Sequence, residues 1–455
     1  MTDHADDDET PDLPPELEQM LRGLTGGAEL DPQMVAMMRS MGLDRIDPQM
    51  LQMVMGQVQA MFAAPAGDTT LDPVLATDTA RKTVAAGGDA LAAQPDQRAA
   101  AEAVHVANLW LDAVTDLTAP ALRGVAWSRA EWVEATMPVW TDLVEPVAEG
   151  VTDAVTAAMT RQLSDLPEDA LPAGMAGMLD QAGPMLRRMH GSMFALQLGQ
   201  GVGSLAGEVV TGCEVSLPLV PAPDVVLMPQ ALRELAAGLE VDEPQARLYL
   251  AVREVARVRL FADVPWLSAG LRAAVRDYAG DITIDTDGIE EAVRSIDPSD
   301  PQAVQEALQG RLFNPQHSPA QQAALGRLET LLALVEGWVD VVTERAVAGH
   351  LPAAEALGEA VRRRRASGGP AEKAFGSLVG LELRPRRLRD AANLFRALED
   401  QAGPEGRDAA WRHPDLAPSS ADLDDPLGYA ERTARPVTDD LDAELDALLR
   451  GEGER

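Results

Sequence analysis

Residues 245–267 read QARLYLAVREVARVRLFADVPWL, and this stretch decides the fold. Its apolar positions recur at spacings of three and four, which predicts an amphipathic helix over residues 245–262. Those positions are Leu248, Val252, Val255 and Val258. Arg253 and Arg257 stand four residues apart and share a neighbouring face, while Glu254 lies three residues before Arg257. A charged face therefore runs beside the apolar one.

The central pentad REVAR, residues 253–257, has the frame of H-E-x-x-H with arginine at both histidine positions. In zinc peptidases that motif binds the metal through two imidazoles, and its glutamate is the general base. The ordinary interpretation is an exposed helix face on which Glu254 and Arg257 form a pair worth about 0.2–0.5 kcal/mol. The pentad alone does not decide between these interpretations.

A second apolar helix is predicted over residues 326–349, which read GRLETLLALVEGWVDVVTERAVAG. Glu336 and Asp340 interrupt its apolar stripe, again four residues apart. A carboxylate is costly to bury unless it is paired or bound to a metal. These two acids are therefore the strongest candidates for partners of the residues in the first helix.

The composition predicts a mainly α-helical protein with a minor β component. Apolar residues make up 46% of the 455 residues and aromatic residues only 4%, which favours helix packing. The formal net charge of -35 excludes nucleic acid and anionic membranes as favoured partners. No signal peptide and no apolar run of about 20 residues is present, so we expect a cytoplasmic protein. Cys213, the single cysteine, is expected to be a buried apolar side chain.

The pattern along the chain divides it into an N-terminal part, a body and an acidic end. The Met-rich segment repeats the form (L/I)-D-P-Q-M before helical periodicity, and it is either a partner-binding surface or a small hairpin packed on the body. The predicted divisions are an acidic disordered tail at 1–13, the Met-rich helical extension at 14–66, a linker or loosely packed helix at 67–98, the body at 99–433, and an acidic tail with a short amphipathic helix at 434–455.

Two further features predict details of the body. Gly199, Gly203 and Gly207 line one helix face and would let another backbone approach closely. They do not form G-x-G-x-x-G, so a nucleotide site is not indicated. Residues 215–228, VSLPLVPAPDVVLM, predict a loop followed by one short strand.

Four runs together resemble an actinobacterial family of uncharacterised zincin-like proteins, labelled zinc-dependent metalloproteases or hydrolases. They are REVARVRLFADVPWL, LVEGWVD, EAVRRRRASGGPAEKAFGSLVGLELRPRRLRDAANLFRAL and WRHPDLAPSSADLDDP, and the resemblance covers residues 100–433. It implies a zincin-like helical body. It places Arg253 and Arg257 at the first two metal-ligand positions, Glu254 at the general-base position, Glu336 at the third-ligand position, and Asp340 as the acid that supports a ligand.

Arginine at both ligand positions departs from the zincin pattern. Its side chain only donates hydrogen bonds and stays charged, so it cannot ligate a cation. We therefore expect no cofactor, with zinc only if the family activity is retained. The hypothesis is that Arg253 and Arg257 replace the metal in a salt-bridge cluster. The protein would then be a pseudoenzyme with a binding or scaffold role.

Two alternatives remain open. One is an active metallopeptidase with an unorthodox zinc ligand set, for which the candidate substitutes are His317, His350 and His413. The other is a small-molecule-binding protein that uses the former active-site cleft. An arginine island, formed by residues 362–365 with Arg384, Arg386, Arg387 and Arg389, could bind an anionic ligand or an acidic partner. It could equally pair internally with acidic stretches such as residues 421–425.

Overall fold

The computed structural model describes residues 71–118, 121–164, 175–282, 318–368, 376 and 387–434. The helices are α1 (Pro73–Gly87), α2 (Gln94–Leu111), α3 (Arg129–Ser164), α4 (Met175–Ala206), α5 (Pro229–Gly238), α6 (Glu243–Asp263), α7 (Pro265–Ala279), α8 (Pro319–Val347), α9 (Ala354–Ser367), α10 (Leu388–Ala409), α11 (Ser420–Asp424) and α12 (Pro426–Ala434). The strands are β1 (Arg123–Ala126) and β2 (Asp224–Leu227). The prediction of a mainly α fold with a minor β component is confirmed.

Helices α6 and α8 form the centre of the core. Every residue from 249 to 260 in α6 and from 330 to 343 in α8 is buried, so both helices are enclosed on all sides. They pack on each other, with α2 and α9 also against α6, and α7 and α10 against α8. Helix α8 begins earlier than the periodicity predicts, at Pro319, because Ser318 and Gln321 form a capping box there.

The small sheet is parallel, with Arg123 opposite Asp224 and Ala126 opposite Leu227. Strand β2 lies within the predicted loop-and-strand segment 215–228, whereas β1 was not identified from the sequence. On the other side of β2, the Gly212 N–H donates to the Val226 carbonyl oxygen at 3.0 Å. This pairing leads the chain directly to Cys213, which is fully buried as expected.

The predicted glycine face brings α1 and α4 together. A Cβ atom at Gly199 would lie 2.4 Å from the Ala76 carbonyl oxygen, and one at Gly203 would lie 2.7 Å from that of Ala80. Glycine is therefore required at Gly199 and Gly203, as predicted, whereas Gly207 lies beyond the end of α4 and takes no part in this contact. Helix α1 lies in the region predicted as a linker or loosely packed helix, and it packs against α4.

Several predictions fall on parts of the chain outside the described residues. These are the acidic tail at 1–13, the Met-rich extension at 14–66 and residues 435–455 of the acidic end. Among the described helices, none combines the length and hydropathy needed to cross a bilayer.

Candidate functional site: a buried ion-pair cluster

Helices α6 and α8 bring together all five residues singled out in the sequence. Arg253, Arg257 and Glu254 project from α6, and Glu336 and Asp340 project from α8. Each of these side chains is at most 2% exposed. The ordinary interpretation, an exposed face with a weak Glu–Arg pair, is therefore wrong, because α6 is the innermost helix and has no exposed face at this point.

Arg253 bridges the two acids of α8. Its Nη2 donates to Glu336 Oε2 at 2.8 Å, and its Nη1 donates to Asp340 Oδ1 at 3.1 Å. Burial alone would lower the pKa of Arg253, but the negative charges of Glu336 and Asp340 outweigh that effect and raise it. This guanidinium group is therefore fixed in its charged form across one turn of α8.

Arg257 holds the other oxygen of Glu336. Its Nε donates to Glu336 Oε1 at 2.9 Å, and its Nη2 lies 2.8 Å from the same atom. Burial raises the pKa of the Glu336 carboxyl, but the charges of Arg257, Arg253 and Arg365 outweigh it, so the pKa lies well below its ordinary value. Glu336 is thus an ionised carboxylate between two guanidinium groups.

Glu254 faces the opposite direction, toward the segment beside β2. Its Oε1 accepts the Cys213 backbone N–H at 2.6 Å, and its Oε2 accepts Arg257 Nη1 at 3.3 Å. Complete burial raises the pKa of its carboxyl, and these contacts only partly oppose the shift. The residue at the general-base position therefore anchors the chain at Cys213 to α6.

Two members of the cluster were not predicted. Ser216 donates from Oγ to Glu336 Oε1 at 2.7 Å. Arg365 donates from Nη2 to Ser216 Oγ at 3.2 Å, and its Nε lies 4.0 Å from Glu336 Oε2. The run of four arginines was the only signal for Arg365. Nothing in the sequence around Ser216 marks it, and its backbone has φ +65°, which few side-chain-bearing residues adopt.

We define the Glu336 cluster as these seven residues: Arg253, Glu254, Arg257, Ser216, Glu336, Asp340 and Arg365. It contains three guanidinium groups and three carboxylates, all buried. With all three carboxyl groups ionised, the cluster holds equal numbers of positive and negative charges. Such balance is the condition under which charged groups remain stable in a core.

The sequence matches a known protein family over most of its length. The model of the zincin-like metallopeptidase family matches residues 71–430. The chain belongs to the zincin-like metallopeptidase family. The matched residues include α6 and α8, so the Glu336 cluster of this zincin-like chain lies inside the region that matches the family.

A solved structure shares the fold of the zincin-like chain. It is a protein from Chloroflexus aurantiacus described as a "putative hydrolase with a novel fold". The two chains superpose with a TM-score of 0.56 at 15% sequence identity, over 80% of this chain and 99% of that one. No curated protein matches the sequence.

The zincin family is typically zinc-dependent, but the donor set of this zincin-like chain does not fit a zinc ion. Two of the implied ligand positions hold Arg253 and Arg257, which have no lone pair to offer. The third, Glu336, already accepts from both of them. Among the described residues, no group of three or more His, Cys, Asp or Glu side chains is placed to hold a metal ion.

Several residues of the arginine island form ion pairs within the zincin-like chain. Arg364 lies 3.2 Å from Glu214, and Arg365 belongs to the Glu336 cluster. Arg387 pairs with Asp390 and with Asp424 of the acidic stretch 421–425. Arg384 and Arg386 lie outside the described residues.

Proposed function

We propose that this protein is a metal-free member of its family, in which Arg253 and Arg257 stand in place of a zinc ion. It would act as a binding or scaffold protein and not as a peptidase. One observation carries the proposal: both guanidinium groups donate to Glu336, the residue that the resemblance places as third metal ligand. A side chain that accepts from two arginines at 2.8 and 2.9 Å has no free oxygen directed at a metal.

A count of charges supports the same proposal. A zinc ion held by two neutral imidazoles brings two positive charges beside Glu336 and Glu254. Two arginines bring the same two charges and also fill the space of the histidines and the ion. Guanidinium and carboxylate groups match in a forked geometry, so the two central helices remain joined without a metal. The fold of the family can therefore be kept while its chemistry is lost.

The position of Glu254 argues against hydrolysis. A general base must reach the water or substrate proton that it removes. Glu254 is 0% exposed, and its two oxygens accept from the Cys213 N–H and from Arg257. The arginines cannot lower the pKa of a water molecule as a Lewis acid does. The residues at the family's catalytic positions thus hold the core together.

The unorthodox metallopeptidase is less well supported. His350 follows the end of α8 and stacks on Trp110 with ring centroids 4.5 Å apart. Eleven residues of α8 separate its end from Glu336, a distance of about 16 Å along the helix. His413 is 61% exposed, and its Nδ1 accepts the Asp415 N–H. His317 lies outside the described residues.

Metal content tests the proposal directly. The untagged protein, purified after zinc supplementation and then desalted, is measured by elemental mass spectrometry, and we expect no stoichiometric zinc. A double variant, Arg253→His with Arg257→His, restores H-E-x-x-H opposite Glu336 and is expected to take up about one zinc per chain. About one zinc in the natural protein, with hydrolytic activity lost on chelation, would overturn the proposal. A double variant that folds without zinc would contradict the equivalence of these positions to metal ligands.

A further inference from the structure

A groove of about 660 Å³ lies between α8, α9 and α10, and Asp340 of the Glu336 cluster is one of its lining residues. Tyr249 and Asp340 lie at its inner end, and polar side chains of α9 and α10 form its walls. Its volume is in the range of small-molecule sites, about 300–1,000 Å³. The groove is open to solvent, whereas the Glu336 cluster itself is closed.

Three guanidinium groups converge on the single carboxylate of Asp340. On the core side, Arg253 Nη1 lies 3.1 Å from Asp340 Oδ1. From the groove, Arg362 Nη1 lies 3.4 Å and Arg396 Nη2 lies 3.7 Å from the same oxygen, Oδ2. Guanidinium–carboxylate hydrogen bonds are normally about 2.7–2.9 Å, so both outer contacts are loose. Asp340 therefore does not neutralise the two outer arginines.

The remaining partners of these arginines are on the surface. Arg396 pairs with Glu344 at 2.9 Å, and Arg362 pairs with Glu359 at 3.4 Å. The Glu344 side chain is 55% exposed and that of Glu359 is 38% exposed. Pairs in such positions contribute about 0–1 kcal/mol, because water competes for both ions. Breaking these two pairs therefore costs little, and a ligand must then bind in a groove whose lining holds four carboxylates and three guanidinium groups.

Helix α10 adds two further polar groups on the same wall. Arg389, Asn393 and Arg396 follow one another at spacings of four and three, so they share one face, and all three line the groove. Arg389 forms no ion pair with any described residue. Asn393 accepts Arg396 Nη1 at 3.3 Å through its oxygen, which leaves its amide N–H groups as donors. The acids that also line the groove are Asp340, Glu344, Glu355 and Glu359, and each except Glu355 already pairs with an arginine.

We infer that this groove binds a small oxyanion ligand, whose phosphate or carboxylate group is held between Arg362 and Arg396. Both guanidinium groups lie within 3.7 Å of one Asp340 oxygen, so they are close enough together for a single oxyanion to bridge them in place of their surface partners, Glu344 and Glu359. The planar fork of arginine matches two oxygens of such a group. Arg389 and Asn393 would contact the rest of the ligand. The inference goes beyond the proposed function and does not depend on whether zinc binds.

Isothermal titration calorimetry with inorganic phosphate and, separately, with citrate tests this site at constant ionic strength set by chloride. We expect saturable binding of at least one of the two ions, and the ion that binds more tightly distinguishes a phosphate from a carboxylate ligand. Arg396→Ala should weaken that binding at least tenfold, since it removes one of the two forks. Arg412→Ala is the control, because Arg412 is exposed, forms no ion pair with any described residue and does not line the groove.

Arg396→Lys separates a lost ligand contact from a lost fold. It keeps the charge but not the fork, so we expect several-fold weaker binding with an unchanged thermal unfolding transition. Absence of saturable heat with both ions would overturn the inference. So would an Arg396→Ala protein that is folded and binds the ion as tightly as the Arg412→Ala control.

Discussion

Helix α8 contacts buried charged groups on two opposite faces, and the two regions are built differently. On one face, Glu336 and Asp340 join the Glu336 cluster. On the other, Trp338 Nε1 donates to Asp408 Oδ1 at 2.8 Å. We define the Asp408 cluster by its four members, Thr115, Trp338, Arg407 and Asp408. Arg407 is completely buried and donates to both oxygens of Asp408.

The difference lies in how each carboxylate is satisfied. Asp408 accepts from its sequence neighbour Arg407 and from two neutral donors, Trp338 and Thr115. Arg407 also donates to the Val114 carbonyl oxygen at 2.6 Å and reaches Glu399 at 3.3 Å. Glu336 is satisfied by guanidinium groups of other helices and by one hydroxyl. The charge of Glu336 is thus balanced by arginines from distant parts of the chain.

Removing one charged residue therefore has different consequences in the two clusters. A buried ion pair is weak evidence of net stability, but breaking one leaves an uncompensated charge in the core. Without Glu336, Arg253 and Arg257 would share only Asp340 and Glu254. Without Asp408, Arg407 would still have Glu399 and a backbone carbonyl. The Glu336 cluster is therefore the more sensitive region.

Glu336→Gln should give the largest effect. It removes the charge that Arg253 and Arg257 share, so we expect a loss of about 3–5 kcal/mol in the free energy of unfolding. Urea unfolding at pH 7 measures it. Glu344→Gln is the matched control on the same helix, where the side chain is 55% exposed, and should change stability by at most about 0.5 kcal/mol. Equal effects for the two variants would contradict the importance of this charge.

Asp408→Asn should cost less, about 2 kcal/mol, because the amide keeps one acceptor oxygen and Arg407 keeps its other partners. The same urea unfolding experiment gives the value. If Asp408→Asn proved more destabilising than Glu336→Gln, the Asp408 cluster would be the more sensitive of the two. Neutral hydrogen-bond donors would then contribute more to stability than balanced charge.

Gly337 lies between Glu336 and Trp338, and a substitution there tests the contact of α8 with α10. A Cβ atom there would lie 2.7 Å from the Ala392 backbone nitrogen, so Gly337→Ala should push α10 away and cost about 1–3 kcal/mol. Gly326→Ala, on the same helix, meets nothing within 4 Å and should instead stabilise by about 0.5–1 kcal/mol. Thermal unfolding of both variants measures the difference. A stable Gly337→Ala protein would show that α10 can shift without loss.

The pH dependence should distinguish the two glutamates of the Glu336 cluster. Because the pKa of Glu336 is lowered by folding, its contribution is present above pH values of about 4.3 and is lost as the pH falls through its folded-state pKa. The stability gap between the natural protein and Glu336→Gln should therefore narrow on acidification. The pKa of Glu254 is raised by burial, so stability from this group is greatest at low pH and is lost as the pH rises through its folded-state pKa.

Glu254→Gln should accordingly show the opposite slope. As the pH falls from neutral, the natural protein should gain stability relative to this variant. Urea unfolding of the natural protein, Glu336→Gln and Glu254→Gln across the acidic range measures how the stability of each depends on pH. Subtracting each variant from the natural protein removes the contribution of all other titrating groups. Parallel curves for the two variants would contradict the assigned direction of one of the two pKa shifts.

Local sequence pattern was sufficient for helices α6 and α8, for a close backbone approach at Gly199 and Gly203, and for strand β2. Spacings of three and four located α6 and α8. The four-residue repeat of glycine predicted that another backbone approaches this face, and the structure identifies that backbone as α1. Strand β1 was missed, because four residues with two of them small and one charged carry no alternation that distinguishes them from a loop. The pentad at Arg253 indicated residues that the structure places in the core, but the pattern could not distinguish an exposed face from a buried one.

The sequence by itself determined which residue types were available: two arginines four residues apart on one helix, and two acids four residues apart on another. Their helical spacing follows from local backbone geometry, which depends on near neighbours alone. Only the tertiary structure decided that these four side chains meet in the core, that Ser216 and Arg365 join them, and that Glu254 turns toward Cys213. Burial and long-range contact depend on how distant segments pack, and a linear pattern does not contain that information.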